Sequence, residues 1–458
     1  MPETIAAIAT PPGEGGLHVL RISGPEAREL ARRIFVPFRG RGRVLETPRR
    51  LDYGRIRHPK SGQEIDTGLG VWFPAPHSYT GEEVVELSCH GGTLVSRRVL
   101  EAVVDAGARP ARPGEFTRRA FVQGKLDLTQ AEAVADLIAA ASDRALRTAL
   151  KQLEGRLSQA LEGLYQRLLG VLAQLETAID FPEEGLGFQD KKTLDAEVLA
   201  VHAEILSLAE TYRQGKILRE GLKVVLVGKP NTGKSSLLNA LLEEDRAIVT
   251  PHPGTTRDVL EERVRLGDLH LTLLDTAGIR EHADSIEAEG IKRTRRALEA
   301  ADLALVLFDG SRPLEAEDHT LIQHLGSLPA CLVINKSDLP QVLDPESLPR
   351  PPGTFGVQAL SATRGTGLSA LKDQVYAWAT QGWAAPQDLI ITRERHRHAL
   401  LETAGALEKT HQSLQEDRSE DLIAVDLNRA LDALGGLLGK RFEADLLDRI
   451  FDDFCIGK

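Results

Sequence analysis

The stretch KVVLVGKPNTGKS, residues 223–235, contains the strongest structural signal in the middle of this chain. A short β-branched run is followed by a glycine-rich turn and then by an apolar segment, a pattern that predicts a strand, a loop and a helix. The last eight residues match GxxxxGK[ST], in which backbone N–H groups converge on phosphate oxygens at a helix N-terminus. We expect Lys234 to reach the β and γ phosphates and the Ser235 hydroxyl to ligate Mg²⁺. The stretch therefore predicts a phosphate-binding loop.

A second motif, NKSD at residues 335–338, predicts which base is bound. A carboxylate at the end of that motif accepts hydrogen bonds from both N1–H and the 2-amino group of guanine, whereas adenine offers neither donor. The segment SAT, residues 361–363, follows the next strand and is expected to support the base through its backbone. These motifs, in this order after the phosphate loop, predict guanine.

A third motif, DTAG, begins at Asp275 and is expected to direct that carboxylate toward Mg²⁺ and the Gly278 amide toward the γ-phosphate. The next residue is Ile279, where Ras-like GTPases carry the glutamine that orients the attacking water. Either hydrolysis is very slow or other groups position the water. The candidates are Asn231, whose amide can ligate a monovalent cation, and Glu287, for which a favourable place in the first turn of a helix is an equally good explanation.

The segment GTTRD, residues 254–258, lies where a switch loop belongs, and its Thr256 would complete the coordination of Mg²⁺ together with Ser235. The predicted catalytic residues are Glu287, Asn231, Lys234, Thr256 and Gly278. The motifs predict contacts to GTP from Asn231, Thr232, Gly233, Lys234, Ser235, Ser236, Thr256, Asp275, Thr276, Ala277, Gly278, Asn335, Lys336, Asp338, Ser361, Ala362 and Thr363.

The sequence around these motifs predicts a multidomain protein with α+β and α/β parts. Residues 1–118 mix Gly, Pro and short strand-like runs, which is typical of an α+β domain. Apolar residues recur every three or four positions in 119–215 and again in 383–458, and this period predicts helices. Between them, 216–382 alternates strands and helices, which indicates βαβ units. The simplest architecture is a P-loop domain inserted between two parts of one helical domain.

Two local features make sharper predictions. The apolar run from Leu150 to Leu175 keeps one helical period and predicts a single long helix. Gly267-Asp268 separates two strand-like runs and predicts a two-residue hairpin connection.

The composition limits the classes of protein. Among 458 residues, 56 Lys plus Arg stand against 67 Asp plus Glu, a formal net charge of −11. That balance excludes a protein held to nucleic acid mainly by its overall charge, so any RNA contact needs a local patch or a partner chain. Basic runs at 292–296 and 393–398 are candidates, although most such runs are solvated helix faces.

The cysteines and the apolar runs predict a cytoplasmic chain. Cys89, Cys331 and Cys455 have neither metal-ligand spacing nor the even count of a disulfide framework, which predicts reduced thiols. The N-terminus has no basic leader, and no run approaches the roughly 20 apolar residues of a membrane helix.

Read with both ends of the chain, these motifs resemble the MnmE (TrmE) family of tRNA-modification GTPases over essentially the full length. The matching segments are IATPPG at 8–13, RISGP at 21–25, SYTGE at 78–82, HGG at 90–92, RPGEFT at 112–117 and the terminal FCIGK at 454–458.

The resemblance implies an N-terminal domain that is similar to folate-binding aminomethyltransferase domains and that dimerises. The domain would hold a tetrahydrofolate derivative, in the 5,10-methylene or 5-formyl form, and the matching positions are Arg21, Glu86, Lys125 and Lys458. From the residues alone, solvated surface charge is the alternative explanation of these four side chains. Cys455 is a possible functional thiol, with a positioning role at the folate pocket as the alternative to a covalent one.

The resemblance also implies potassium-dependent dimerisation of the G domains, so the chain would form a homodimer. The implied K⁺ ligands are Asn231, Thr250, His252 and Thr255, and Thr250 and Thr255 join the predicted GTP contacts. Glu287 matches the residue proposed to orient the water network. This sequence reads TPHPG at 250–254 where many relatives have an Asp-Ile-Ala tract, and its two prolines stiffen a loop whose backbone carbonyls can still ligate K⁺.

The implied function is GTP hydrolysis within a tRNA-modifying complex. With an FAD- and NADH-using partner, MnmG (GidA), family members add an aminomethyl or carboxymethylaminomethyl group to C5 of the wobble uridine. One alternative is a ribosome-assembly GTPase that acts as an RNA-binding switch, but no basic module is visible beside the G domain. A stand-alone folate-dependent aminomethyltransferase is the other, and the intact phosphate loop and NKSD argue against it.

Overall fold

The structure is a computed structural model, and it describes residues 3–38, 45–180, 191–245, 262–274, 297–383, 389–440, 444–452 and 454–458. The chain forms two compact units. One comprises Met1–Ala135, Lys151–Gly187 and Ser419–Lys458, and the other comprises Asp136–Leu150 and Phe188–Arg418. The domain boundaries after residues 118, 215 and 382 stay predictions.

The first unit contains a mainly antiparallel sheet. Its strands are β1 (Ile5–Ile8), β2 (Gly15–Ser23), β3 (Phe35–Pro37), β4 (Asp52–Arg57), β5 (Glu64–Phe73), β6 (Val84–Gly91) and β7 (Arg109–Pro110). They lie in the order β3-β4-β5-β6-β2-β1-β7, and only β1 and β7 pair in parallel. Leu20 and Ile22 alternate along β2 with polar residues, as expected for a sheet with one buried face, and they pack with the helices Ala27–Ile34 and Thr93–Ala106.

The helices of the chain follow the predicted period, with one interruption. The further helices before the second sheet are Glu115–Val122, Leu128–Ala139, Asp143–Leu153, Arg156–Asp180, Lys191–Glu210 and Tyr212–Glu220. The predicted single helix across residues 150–175 is wrong, because the chain turns at Gly155, whose φ is +82°. The Gln130 side chain donates a hydrogen bond to the Leu153 carbonyl, 2.9 Å away, at this turn. The apolar residues keep their helical spacing across the turn, so the spacing does not reveal the turn in the sequence.

The second unit contains a mainly parallel sheet. Its strands are β8 (Leu222–Gly228), β9 (Glu262–Leu266), β10 (Leu269–Leu274), β11 (Leu303–Asp309), β12 (Ala330–Asn335) and β13 (Thr354–Ala359). The order is β13-β12-β11-β8-β10-β9, and only β9 and β10 pair antiparallel, which confirms the hairpin at Gly267-Asp268. The chain passes from β8 first toward β10 and later to β11 on its other side. The order therefore reverses at β8, and the loop after this strand opens at the crevice where α/β sheets bind ligands.

The helices around and after this sheet complete the fold. They are Lys234–Asp245, Ala316–Gln323, the 3₁₀ helix Pro345–Ser347, Leu368–Ala379, Glu394–Gln415, Glu420–Leu438 and Ala444–Asp452. Among these described helices and those before them, none is both long and apolar enough to cross a membrane.

Helices from both sides of the α/β segment pair with each other. Arg156–Asp180 packs against Glu420–Leu438 in the first unit, and Lys191–Glu210 packs against Glu394–Gln415 in the second. The first of these helices buries one leucine-rich face. Each pair joins a helix that precedes the P-loop domain to one that follows it, so the helical part is discontinuous and the P-loop domain is an insertion.

Two helical glycines predict opposite effects of the same substitution. A Cβ at Gly215 would lie 1.9 Å from the Ile391 carbonyl oxygen, whereas a Cβ at Gly405 has nothing within 4 Å. Alanine in a helix is favoured over glycine by about 0.8–1 kcal/mol, so Gly405→Ala should stabilise the protein. Forcing atoms into an occupied space costs about 1–3 kcal/mol, so Gly215→Ala should destabilise it. Urea unfolding followed by circular dichroism measures both, and midpoints that move in the same direction contradict the packing of Gly215 against Ile391.

Candidate functional site

The backbone of the loop after β8 binds the ammonium group of a lysine. Lys234 begins the helix Lys234–Asp245, and its Nζ donates hydrogen bonds to the carbonyl oxygens of Gly228 at 2.8 Å and Lys229 at 2.7 Å. Burial lowers the pKa of Lys234, and a phosphate beside it favours the charged form. The loop therefore presents a pre-positioned cation at the helix N-terminus, where anions are already favoured.

A buried asparagine joins this loop to the strand ends beside it. Asn335 ends β12, and its Nδ2 donates to the Thr232 carbonyl oxygen at 2.8 Å while its Oδ1 accepts from the Ala362 N–H at 3.0 Å. A Cβ at Gly233 would lie 2.1 Å from Asn335 Nδ2, so the close approach of the loop requires glycine. One carboxamide thus holds together three segments that are far apart in sequence. The Ala362 N–H donates its hydrogen bond to this carboxamide.

A carboxylate lies at the other end of the bridge. Asp338 Oδ1 accepts a hydrogen bond from the Ser361 hydroxyl at 2.6 Å, and this bond lowers the pKa of Asp338. Arg364 lies 3.8 Å from the second carboxylate oxygen. An ionised carboxylate held in this way accepts hydrogen bonds from the two donors on the guanine edge.

The other predicted GTP-binding residues around the loop differ in their exposure and contacts. Lys336 has a φ of +64°, and its Nζ lies 2.6 Å from Asp309 Oδ2. Asn231 and Ser235 are exposed, and Ser236 is half-buried in the first helical turn. Thr363 is exposed. The predicted site residues that lie outside the described part of the chain are Thr250, His252, Thr255, Thr256, Asp275, Thr276, Ala277, Gly278 and Glu287.

An ion-paired lysine in the loop was missed from the sequence. Lys229 Nζ lies 2.7 Å from both Glu315 Oε2 and Asp318 Oδ2. Burial disfavours the charge of Lys229, but the two carboxylates raise its pKa above the ordinary value. Glu315 and Asp318 form a capping box at the helix Ala316–Gln323, and that spacing was a readable signal. The pairing with Lys229 follows no sequence spacing.

A second group of predicted residues meets in the first unit. Arg21 on β2 lies opposite Glu86 on β6, and its Nε donates to Glu86 Oε1 at 2.8 Å. The Arg21 guanidinium also donates to the Gly457 carbonyl oxygen at 3.4 Å. Its central carbon lies 5.2 Å from the ring centroid of Tyr79 and 5.7 Å from that of Phe116. The arginine is therefore fixed by a carboxylate, a backbone carbonyl and two aromatic faces.

The C-terminal tail lies against this arginine. The Lys458 carbonyl oxygen accepts a hydrogen bond from the Phe116 N–H at 3.2 Å. Gly457 has a φ of +100°, and a Cβ there would lie 2.5 Å from the Ile8 carbonyl oxygen. Burial, followed by repulsion from Arg21, lowers the pKa of Lys458.

The structure brings together three of the four predicted folate residues. Arg21, Glu86 and Lys458 interact electrostatically. Lys125 is exposed, and within the described chain no hydrogen bond or ion pair connects its side chain with the other three. Its Cγ lies 3.3 Å from the place of a Cβ on Gly81.

The three thiols divide by burial. Burial raises the pKa of Cys89 to about 11 and that of Cys331 to about 12, so both stay protonated. Cys455 is exposed in the tail, three residues before Lys458. Within the described residues, no group of three or more His, Cys, Asp or Glu side chains is arranged to hold a metal ion.

Known proteins match the chain over its full length. A family model described as MnmE helical domain matches residues 128–455, and one described as GTP-binding protein TrmE N-terminus matches residues 4–125. The tRNA modification GTPase MnmE of Heliobacterium modesticaldum is 45% identical over 463 residues, which cover 100% of this chain and 99% of that protein. The protein of the same name from Moorella thermoacetica is 45% identical over 464 residues, with the same coverage.

A solved structure also resembles part of the chain. The G domain of the T. maritima FeoB iron transporter is 26% identical and covers 34% of this chain and 98% of that one. The TM-score of this pair is 0.27. The two family models and the full-length relatives are sufficient: this chain belongs to the MnmE family of tRNA modification GTPases.

Proposed function

We propose that this chain hydrolyses GTP as one component of a complex that adds an aminomethyl or carboxymethylaminomethyl group to C5 of the wobble uridine of tRNA. The observation that carries the GTP part is the Asn335 bridge, which holds the phosphate loop and the guanine motif in one arrangement. Membership of a tRNA modification GTPase family supports the tRNA part. Action on tRNA fits the cytoplasmic location that the sequence predicts.

In this proposal the described loop residues bind the nucleotide and its metal. Lys234 exchanges its two backbone carbonyl partners for the β and γ phosphates, since an ammonium is bound more strongly by an anion than by a neutral oxygen. The exposed Ser235 hydroxyl at the helix start fits a Mg²⁺ ligand, with Thr256 as its partner. Asp338 reads the guanine edge. Mg²⁺ held by the hydroxyl groups of Ser235 and Thr256 would neutralise the charge that develops on the phosphates.

We assign K⁺ to the exposed side of the same loop. Asn231 has a φ of +63°, and among the described residues its side chain has no hydrogen-bond partner, so its amide oxygen is available to a hard cation. Thr250, His252 and Thr255 complete the proposed ligand set, and Glu287 orients the attacking water. K⁺ held by these residues would add positive charge at the phosphates in a homodimer whose G domains face each other. This arrangement replaces the glutamine that Ile279 cannot supply.

We assign a tetrahydrofolate derivative to the first unit. Glu86 accepts hydrogen bonds from pterin N–H groups, and Arg21, which pairs with Glu86 at 2.8 Å, lies at the same end of the ligand. Lys458 provides a further cation for an anionic group of the ligand. Burial, followed by repulsion from Arg21, lowers the pKa of Lys458, and a bound anion would favour its charged form. The folate, in the 5,10-methylene or 5-formyl form, supplies the one-carbon unit. Cys455 borders this pocket as a positioning residue, and the FAD-dependent partner MnmG supplies the redox chemistry.

The potassium assignment predicts a cation-specific rate. GTP turnover of the full chain should be faster in K⁺ than in Na⁺, and Asn231→Ala should lower the K⁺ rate by about tenfold or more, because one ligand of a charge-stabilising ion is lost. The rate in Na⁺ should be the same for both proteins, and this is the internal control. Equal, slow rates of the unsubstituted chain in both salts would refute the assignment.

The guanine assignment predicts an exchange of base specificity. Asp338→Asn removes two charge-assisted acceptors, each worth about 1.5–3 kcal/mol, so the affinity for GDP should fall by about 100-fold or more. Xanthosine diphosphate carries a carbonyl in place of the 2-amino group, so it should bind the variant better than GDP does. Fluorescence titration measures both ligands.

Asp344→Asn is the matched control for that titration, because Asp344 caps the short helix Pro345–Ser347 instead of facing the loop. It should leave the affinity for GDP unchanged. If Asp338→Asn does the same, Asp338 does not read the base.

The folate assignment predicts a role for the last residue. Lys458→Ala should weaken binding of 5-formyltetrahydrofolate by about tenfold, the effect of one lost charge-assisted contact. Lys60→Ala is the control, because that lysine is in the same unit but its side chain pairs with Asp105 at 2.8 Å. Isothermal titration calorimetry distinguishes the two variants. Equal affinities for both would place the folate elsewhere.

A further inference from the structure

A groove in the second unit is lined by cations and aromatic rings that the proposed function does not use. It has a volume of about 650 Å³. The helix Tyr212–Glu220 contributes Tyr212, Arg213 and Lys216, the helix Leu368–Ala379 contributes Trp378, and the helix Glu394–Gln415 contributes Arg397. None of these residues belongs to the nucleotide or folate sites described above.

An aromatic ring lies against each of the two guanidinium groups of the groove, and Phe355, which is outside the groove lining, packs against one of these rings. Phe355 and Trp378 are nearly parallel, with ring centroids 5.0 Å apart and an interplanar angle of 17°. The guanidinium of Arg213 lies 4.9 Å from the Trp378 ring, and that of Arg397 lies 5.7 Å from the Tyr212 ring. Aromatic contact holds a flat guanidinium in place and so reduces the conformational entropy that binding would cost.

The two arginines keep their charge available. Within the described part of the chain, no carboxylate lies within salt-bridge distance of Arg213 or Arg397, and both residues are exposed. Lys216 is different, because its Nζ lies 3.1 Å from Asp302 Oδ1. Glu210 is the other carboxylate of the lining. One of the three cations of the groove is therefore ion-paired within it, and the two arginines beside aromatic rings are exposed to a ligand.

We propose that this groove binds a segment of single-stranded RNA, with a base against the guanidinium of Arg213 and the adjoining phosphates against Arg213 and Arg397. Single-stranded RNA is bound where bases stack on aromatic or arginine planes and cations follow the backbone. An acidic peptide would pair with the arginine charges but would not require a base-stacking surface. The volume is within the range of pockets that hold a nucleotide-sized ligand.

The site also accounts for the charge balance of the chain. A formal net charge of −11 requires that any RNA contact be local, and Arg397 belongs to one of the two basic runs in the sequence. The identification of the ligand as RNA rests on the proposed action on tRNA. The test below measures RNA binding without GTP turnover or tRNA modification. Failure of the RNA site can therefore be distinguished from failure of the proposed function.

The test is fluorescence anisotropy of a fluorescein-labelled RNA ten-mer of mixed sequence with the full chain. Arg213→Ala and Arg397→Ala should each weaken binding by about tenfold and reduce the salt dependence, since each removes about one phosphate contact. Arg213→Lys keeps the charge but loses the plane, and it should recover the salt dependence without recovering the affinity. Arg350→Ala, at an exposed arginine beside Glu346, is the control and should change nothing.

Unchanged GTP turnover of each variant shows that the variant is folded. Two competition experiments then distinguish base stacking from phosphate binding. Uridine monophosphate should displace the RNA at concentrations at which inorganic phosphate does not, because a base is needed for stacking. Equal competition by phosphate would overturn the stacked site. RNA affinity unchanged in both alanine variants would overturn the proposal outright.

Discussion

One buried carboxamide, that of Asn335, sets the geometry of the nucleotide site. It joins the phosphate loop after β8 to the segment after β13 through two hydrogen bonds, and a buried amide left without partners costs about 1–3 kcal/mol per group. Gly233 has to be glycine because the amide lies where a Cβ would be. Lys234 in the loop and the Ser361–Asp338 hydrogen bond lie beside the two ends of this bridge. The parallel sheet is the scaffold that brings these strand ends to one edge.

The first unit applies a similar constraint at the C-terminus. The tail reaches β2 because Gly457 adopts a left-handed conformation and approaches the Ile8 carbonyl without a side chain. Arg21 then contacts Glu86 and the tail backbone together. The FCIGK segment at residues 454–458 therefore contacts β2 within the first unit, although the two are far apart in sequence.

Local signals predicted more of this protein than distant ones did. The strand, loop and helix at residues 223–235 and the hairpin at Gly267-Asp268 were readable because motif and period act over a few residues. The helix break at Gly155 was not, since apolar residues keep their spacing across it. Lys229 and Glu315 are 86 residues apart, and Arg21 and Gly457 are 436 apart, so no spacing rule connects them. Only the fold reveals such pairs.

The proposed function is tested by measuring the C5 modification of the wobble uridine in cells. Bacteria that lack their own MnmE-family protein would carry either this chain or its Lys234→Ala variant at equal protein levels, and mass spectrometry of tRNA nucleosides would quantify the C5 modification. The unsubstituted chain should restore the modified uridine, and the variant, with the loop cation removed, should not. Equal restoration by both proteins would contradict the claim that GTP hydrolysis at this loop drives the modification.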